Sequence, residues 1–407
     1  MMGEGVKLKV LYLPRWYPNR YDPMPGLFIE RHARSVAGHV DVAVLYVHQD
    51  ERLKSRRVEV ERSRDDELLQ FKIYYRPFRT SIPVLKPLIN LSRYLGYHYR
   101  GLKMIKKEFG LPDIIHVNVL TRLGMVALLY KWISGTPYVI TEHWTRYLPH
   151  MDNFKGIFRK AFTRLVVRNA SAVMPVTDNL RKAMESHSLK NRNYQVIPNV
   201  VDMKMFDIRE DLPGRAKKCI IHVSCFEDRQ KNISGILRVL KKLSIERTDW
   251  VCYMIGEGIH LDDLVNYAKK MNLEGSFVYF LGLKENAELA KLMAEADFQV
   301  MFSRFENLPV VILESFACGV PVLSTDVGGI REHINQDLGI LISSEDEEEL
   351  LGKINSMLDN YKIYDKTKIR DYAERHFSRE VIGERLAEVY ESVIQNSIRR
   401  LADKIQD

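Results

Sequence analysis

The sequence predicts an α/β protein of two facing, doubly wound (Rossmann-like) domains, each a parallel sheet covered by helices on both faces. Three observations carry this expectation. Short β-branched runs alternate with longer amphipathic stretches, the alternation occurs twice, and a polar segment without apolar periodicity separates the two series.

In the first series the apolar runs are residues 7–13, 40–47, 71–78, 113–118, 137–143, 172–177 and 194–198, with helical-period stretches at 27–37, 122–134 and 154–169. In the second they are 219–225, 250–255, 277–282, 298–303, 320–325 and 339–342. Residues 206–218 carry Pro213 and Gly214 and read as a linker, which gives a first domain of residues 1–205 and a second of 219–377. Ser378, Glu380 and the stripe Val381, Leu386, Val389, Tyr390 and Ile394 mark a capped amphipathic helix over 378–407. The charged stretch 51–67 is read as a solvated loop or short helix. In facing sheets of this kind, ligands bind at the C-terminal ends of the strands, so chemistry is expected in the loops that follow strands.

Composition bounds the function. With 407 residues, 46% hydrophobic and 28% charged, the chain can bury large cores, which excludes a collagen, a disulfide miniprotein and a disordered tail. Three of the four cysteines, Cys219, Cys225, Cys252 and Cys318, lie inside apolar runs, and no zinc-type spacing occurs. They read as reduced thiols of a cytosolic protein. The first residues lack a leader pattern and no run of about 18 uncharged apolar residues occurs, so neither export nor a membrane span is expected. Residues 1–200 hold 33 Lys and Arg against 17 Asp and Glu, whereas residues 201–407 hold 28 against 36. The basic half is expected to face something anionic: phospholipid headgroups, a charged saccharide or nucleic acid.

The strongest local signal is SRFENLPVVILESFACGVPVLSTDVGGIRE, residues 303–332. Pro309 suits a helix start, so Asn307 and Leu308 present backbone N–H groups where a diphosphate is stabilised. Glu306 in the loop is placed to accept hydrogen bonds from sugar hydroxyls, and Glu314, farther along the helix, from a ribose. Gly328 and Gly329 form a small-residue turn that opens another helix and lets backbone approach a ligand closely.

This string resembles the signature of the retaining glycosyltransferases of family four, the glycosyl transferases group 1, which have the GT-B fold. Other segments match in order: Gly26 in the loop after the first strand, then Gly38–His39, TEHWT, VIPNVVD, HVSCFEDRQKN and GEG with Gly256. FSREVIGERLAEVY is similar to the family's last helix, which returns to brace the first domain. The resemblance implies that Glu306 contacts the donor sugar, Glu314 the nucleotide ribose, and Lys231 the departing diphosphate, with no metal or cofactor. The family's arginine six positions before that lysine is Cys225 here, so either Arg229 takes its role or the charge comes from elsewhere.

His143, at the end of PYVITEH, matches the family's active-site histidine, and a titration near neutrality is expected to make activity pH-sensitive. Glu142, its strand neighbour, points the other way and is not paired with it. Trp16 and Tyr17 with Arg15 and Arg20 form either an acceptor platform or packing. Residues 85–109, basic with aromatics interleaved, form either an anionic-membrane contact or a helix packed on the sheet. No nucleic-acid module accompanies them.

The expected function is transfer of a hexosyl unit, with retention, from a UDP-, GDP- or ADP-sugar to a hydroxyl of a lipid-linked or surface-polysaccharide acceptor. It is expected in the cytoplasm, peripherally on the inner membrane face. The alternatives are a nucleotide-sugar 2-epimerase or glycoside phosphorylase of the same fold, and a non-catalytic binding protein on it.

Overall fold

Runs of Val, Ile, Leu and Tyr too apolar to face water on either side build parallel strands buried on both faces. In the computed structural model, which describes residues 7–53, 58–78, 85–120, 122–151, 153–209 and 215–406, they form two sheets. The first contains β1 (Lys9–Pro14), β2 (Asp41–Gln49), β3 (Glu59–Arg64), β4 (Leu68–Tyr75), β5 (Ile114–Asn118), β6 (Tyr138–Glu142) and β7 (Ala172–Pro175), in the order β3-β4-β2-β1-β5-β6-β7. The second contains β8 (Lys218–Val223), β9 (Trp250–Ile255), β10 (Val278–Gly282), β11 (Phe298–Met301), β12 (Val322–Thr325) and β13 (Gly339–Ile342), in the order β10-β9-β8-β11-β12-β13. The chain direction across the sheets reverses between β1 and β5 and between β8 and β11, which fixes the crevices where ligands are held. Residues 210–214, Pro213 and Gly214 among them, lie outside the described residues.

Two expectations need correction. Part of the charged stretch 51–67 is strand β3, antiparallel to β4. Val58 and Val60 pack on the first core while Glu59 and Glu61 point away, a period of two that marks a half-buried strand, and its charges suit an edge. Residues 54–57 of that stretch lie outside the described residues. Residues 194–198 run beside β7, with Gln195 and Ile197 amides donating to Val173 and Pro175, but only Tyr194 forms a bridge and Pro198 ends the pairing.

The helix Leu85–Glu108 packs Tyr94, Leu95, Tyr97, Leu102, Met104 and Ile105 on the first sheet and leaves Leu85, Leu88 and Tyr99 exposed. The last helix, Arg379–Gln406, buries Ile382, Leu386, Val389 and Tyr390 in the first sheet's other core. The Tyr390 hydroxyl meets Tyr12 Oη at 2.8 Å and His116 Nδ1 at 2.7 Å, anchoring the end of the chain to two strands of the first sheet.

Candidate active site

On the second-sheet side, β8 leads into the short helix Asp228–Lys231, whose entry is fixed by the Asp228 carboxylate accepting from the Ser234 amide (2.7 Å) and hydroxyl (2.6 Å). Lys231 is buried there, and its ammonium donates to Glu306 Oε1 at 2.5 Å. Burial pulls its pKa down, but the charge of Glu306 and its hydrogen bond outweigh this and hold the ammonium above its ordinary value. Arg304 ties the two loops together, donating to the carbonyls of Asp228 and Arg229 and to Asn232 Oδ1 (2.8 Å). Gly328 backs the Glu306 loop so closely that a Cβ there would lie 2.0 Å from the Glu306 carbonyl oxygen, and its φ of 62° independently favours glycine.

Pro309 caps the helix Val310–Ala317 from outside rather than opening it, its ψ of 123° being extended. After Gly329 comes a single 3-10 turn, Ile330–Glu332, in place of the expected helix. Glu314 is buried, and Arg31 of the first half donates to its Oε1 at 2.7 Å.

On the first-sheet side, Glu142 at the end of β6 is buried and accepts from the amides of Leu120 (2.9 Å), His143 (3.0 Å) and Trp144 (2.9 Å). It positions the His143–Trp144 backbone, not the imidazole. The His143 ring packs on Phe28 (4.5 Å between centroids) and His32 (5.4 Å), and both its nitrogens are buried without a hydrogen bond. Asn199, in VIPNVVD, lies beside it with its own Oδ1 unpaired. Burial, then the neighbouring His32 and His116, push the His143 pKa well below its ordinary value. The expectation of a titration near neutrality is therefore overturned: burial keeps this imidazole neutral.

The sequence's aromatic and arginine platform divides. Trp16 meets Trp144 edge to face at 5.2 Å, and the guanidinium carbons of Arg146 and Arg15 lie 3.2 and 4.7 Å from the Trp144 ring centre. Tyr17 is instead wholly buried in the core, and Arg20 is engaged by Asp50 and Glu59, so both are structural. Arg146 is nine-tenths buried with Nε unpaired, and burial first, then Arg159 and Arg15, bring its pKa down to about 10. Gly26, φ 76°, caps the next helix with no room for a side chain: a Cβ would sit 2.2 Å from the Trp16 carbonyl oxygen.

Asn307 joins the halves. Its side-chain Nδ2 donates to the His143 carbonyl at 3.0 Å, and its Oδ1 accepts from Thr177 Oγ1 at 2.8 Å. Asn199 Nδ2 donates to the Leu308 carbonyl at 3.1 Å. His143, Glu306, Lys231, Asn307 and Leu308 thus meet at the strand ends of both sheets. Gly256, after β9, donates to the Gly282 carbonyl and borders the same loops, with Ser224 against it. Arg229 is exposed and forms no side-chain hydrogen bond among the described residues, while Cys225 is exposed and free. Sequence reasoning missed Arg31, Arg146, Asn199 and Arg304. Of these Asn199 and Arg304 stood in matched segments.

Two family models match: glycosyl transferases group 1 over residues 206–376 and the glycosyl transferase 4-like domain over residues 26–200. The chain belongs to this glycosyltransferase family. It is 27% identical over 311 residues, 73% of its length and 83% of the relative's, to the N-acetylgalactosamine-N,N'-diacetylbacillosaminyl-diphospho-undecaprenol 4-alpha-N-acetylgalactosaminyltransferase of Campylobacter jejuni. Its fold matches sucrose-phosphate synthase from Thermosynechococcus elongatus (TM-score 0.74, 17% identity, 96% of this chain and 100% of that one). It also matches Anabaena HepE, solved with UDP and glucose (TM-score 0.70, 18% identity, 95% and 100%). The fold is GT-B and the protein is a glycosyltransferase.

Proposed function

We infer that the protein transfers a hexosyl unit, with retention and without a metal, from a UDP-sugar to a saccharide carried on a lipid diphosphate. The observation that carries this is the convergence through Asn307 of a buried Lys231–Glu306 pair with an unpaired, neutral His143. A buried polar atom without a partner costs about 1–3 kcal/mol, a cost that a sugar hydroxyl against the His143 ring removes.

In this reading Glu314 accepts from the ribose hydroxyls, exchanging Arg31 for them, and Glu306 accepts from the sugar hydroxyls. The Lys231 ammonium stabilises charge growing on the diphosphate as the glycosidic carbon–oxygen bond breaks. The acceptor oxygen bonds to the anomeric carbon on the face the diphosphate leaves, and its proton passes to the departing phosphate oxygen. Trp144 stacks on the acceptor sugar while Arg146 and Arg15 hold its anionic linkage. HepE, solved with UDP, supports the choice of nucleotide, and the Campylobacter relative, named for a diphospho-undecaprenol-linked saccharide, supports the lipid diphosphate.

The test is nucleotide release from a panel of UDP-, GDP- and ADP-sugars in chelator, with and without a polyprenyl-diphosphate-linked monosaccharide. The expected result is slow hydrolysis of a UDP-sugar, accelerated by that acceptor and abolished in Glu306→Gln. Release that requires inorganic phosphate, or epimerised UDP-sugar without release, would assign one of the alternatives.

A further inference from the structure

We propose that the first domain docks on an anionic phospholipid bilayer through the paired helices Arg122–Ser134 and Ile157–Asn169, not through Leu85–Glu108. The two helices touch: Gly124 faces Val166 so closely that a Cβ would fall 2.6 Å from its Cγ1, and Lys131 Nζ donates to the Asn169 carbonyl at 2.7 Å. Their outer faces are apolar. Phe158 is 92% exposed, Ile133 86%, Ile157 84% and Trp132 60%, with Leu129, Phe162 and Leu165 beside them. Leu129, Trp132 and Ile133 share one helix face, as do Phe158, Phe162 and Leu165. Large apolar side chains are thus left in water along the outer faces of both helices, Trp132 and Ile133 toward one end of the pair and Ile157 and Phe158 toward the other, which marks a surface that something covers.

Charge selects the occupant. Residues 114–141 and 153–177 contain no Asp or Glu, while the two helices carry Arg122, Lys131, Arg159, Lys160, Arg164 and Arg168. Arg164 and Arg168 edge the apolar stripe and open into a cavity of about 1000 Å³ that Lys131, Lys190 and Arg192 also line, with no carboxylate among its lining residues. Apolar side chains beside cations in a lining without Asp or Glu match a bilayer's acyl boundary and its phosphate headgroups. The helix Leu85–Glu108 fits less well: Tyr94 and Tyr97 are spent on the core, leaving Leu85, Leu88 and Tyr99 as its exposed large apolar side chains. Ile157 follows the loop from the strand end that carries His143, and Arg168 lies roughly 17 Å on along the helix. A bilayer lying along this helix therefore meets the acceptor side of the cleft.

The proposal goes beyond the catalytic reading, and its test contains neither donor nor acceptor. The full chain is sedimented with phosphatidylcholine vesicles and with 70:30 phosphatidylcholine–phosphatidylglycerol vesicles. Binding to the anionic vesicles alone is expected, roughly 10-fold or more weaker for Ile157→Ser/Phe158→Ser and for Arg164→Glu/Arg168→Glu, and unchanged for Leu88→Ser/Tyr99→Ser. Circular dichroism identical to the native chain keeps a folding defect out of the comparison. Absence of native binding would overturn the proposal. So would loss confined to Leu88→Ser/Tyr99→Ser, or a native dimer by ultracentrifugation that Ile157→Ser/Phe158→Ser dissociates, because the patch would then belong to a second copy.

Discussion

The two walls of the cleft are charged differently. On the second-domain wall the buried functional ions already have their counter-ions, Lys231 with Glu306 and Glu314 with Arg31 of the first domain, while Arg229 is exposed. On the first-domain wall the groups are unbalanced: both His143 nitrogens and Arg146 Nε are buried without hydrogen bonds, and Arg15 and Arg146 both pack on the ring of one tryptophan. A paired wall suits a ligand whose charge it meets by exchange, as with a nucleotide's ribose and diphosphate. An unpaired basic wall waits for an anion and for hydroxyls. The same contrast runs through the whole sequence, whose first 200 residues are strongly basic and whose remainder is acidic.

The largest effects should come from the paired wall. Glu306→Gln and Lys231→Met are each expected to lower kcat by roughly 10²–10³-fold, as when a preorganised charge is removed from a transition state. Lys231→Met also leaves a buried carboxylate alone, so thermal unfolding should show a stability loss of about 3–5 kcal/mol, which Glu306→Gln in the same chain restores in part. Equal stability of the single and double variants would mean that the pair is not closed in solution.

On the unpaired wall, His143→Ala is expected to reduce kcat/KM by roughly 10–100-fold. Because burial holds its pKa well below neutrality, the native profile should be flat from about pH 6 to 8. An inflection there that disappears in His143→Ala would show the ring to be charged near neutrality. Arg146→Ala should raise the acceptor KM about 10-fold and leave donor hydrolysis unchanged, since a charge-assisted hydrogen bond contributes about 1.5–3 kcal/mol.

A further effect is on stability. Burial lowers the pKa of His32, His98, His222 and His333 to about 4. Between about pH 6.5 and 4 the unfolded chain therefore binds more protons than the folded one, so stability is complete above about pH 6.5 and declines as pH falls through that window. The melting temperature should drop already between pH 6.5 and 5, before most carboxylates titrate, and His222→Gln should flatten the decline slightly. A melting temperature constant from pH 7 to 5 would contradict the buried, neutral histidines.

Much of the paired wall was legible in the sequence because its residues sit within one continuous string after β11, where spacing alone puts Glu306 in a loop and Glu314 on a helix. The strands were legible for the same reason that they fold: their apolar runs are too long to be half-exposed. Arg31 was not legible because its partner, Glu314, lies far away in sequence, and Arg146 because the cluster it joins on Trp144 is completed by Arg15 and Trp16, more than 100 positions earlier. The burial that removes His143 from titration is likewise made by Phe28 and His32, more than 100 positions earlier. Strand β3 was hidden by its charges, though Val58 and Val60 carried the alternation. The exposed faces of Arg122–Ser134 and Ile157–Asn169 read as ordinary core-facing helices until the sheet showed which residues it leaves uncovered.

The most direct test of the division between the walls is to measure donor hydrolysis and acceptor transfer separately in Glu306→Gln and Arg146→Ala, with the same UDP-sugar and lipid-diphosphate acceptor. Glu306→Gln should lose both activities, and Arg146→Ala should lose transfer at low acceptor concentration while hydrolysing donor at the native rate. Equal loss of hydrolysis in the two variants would contradict it, because the basic wall would then be holding the donor.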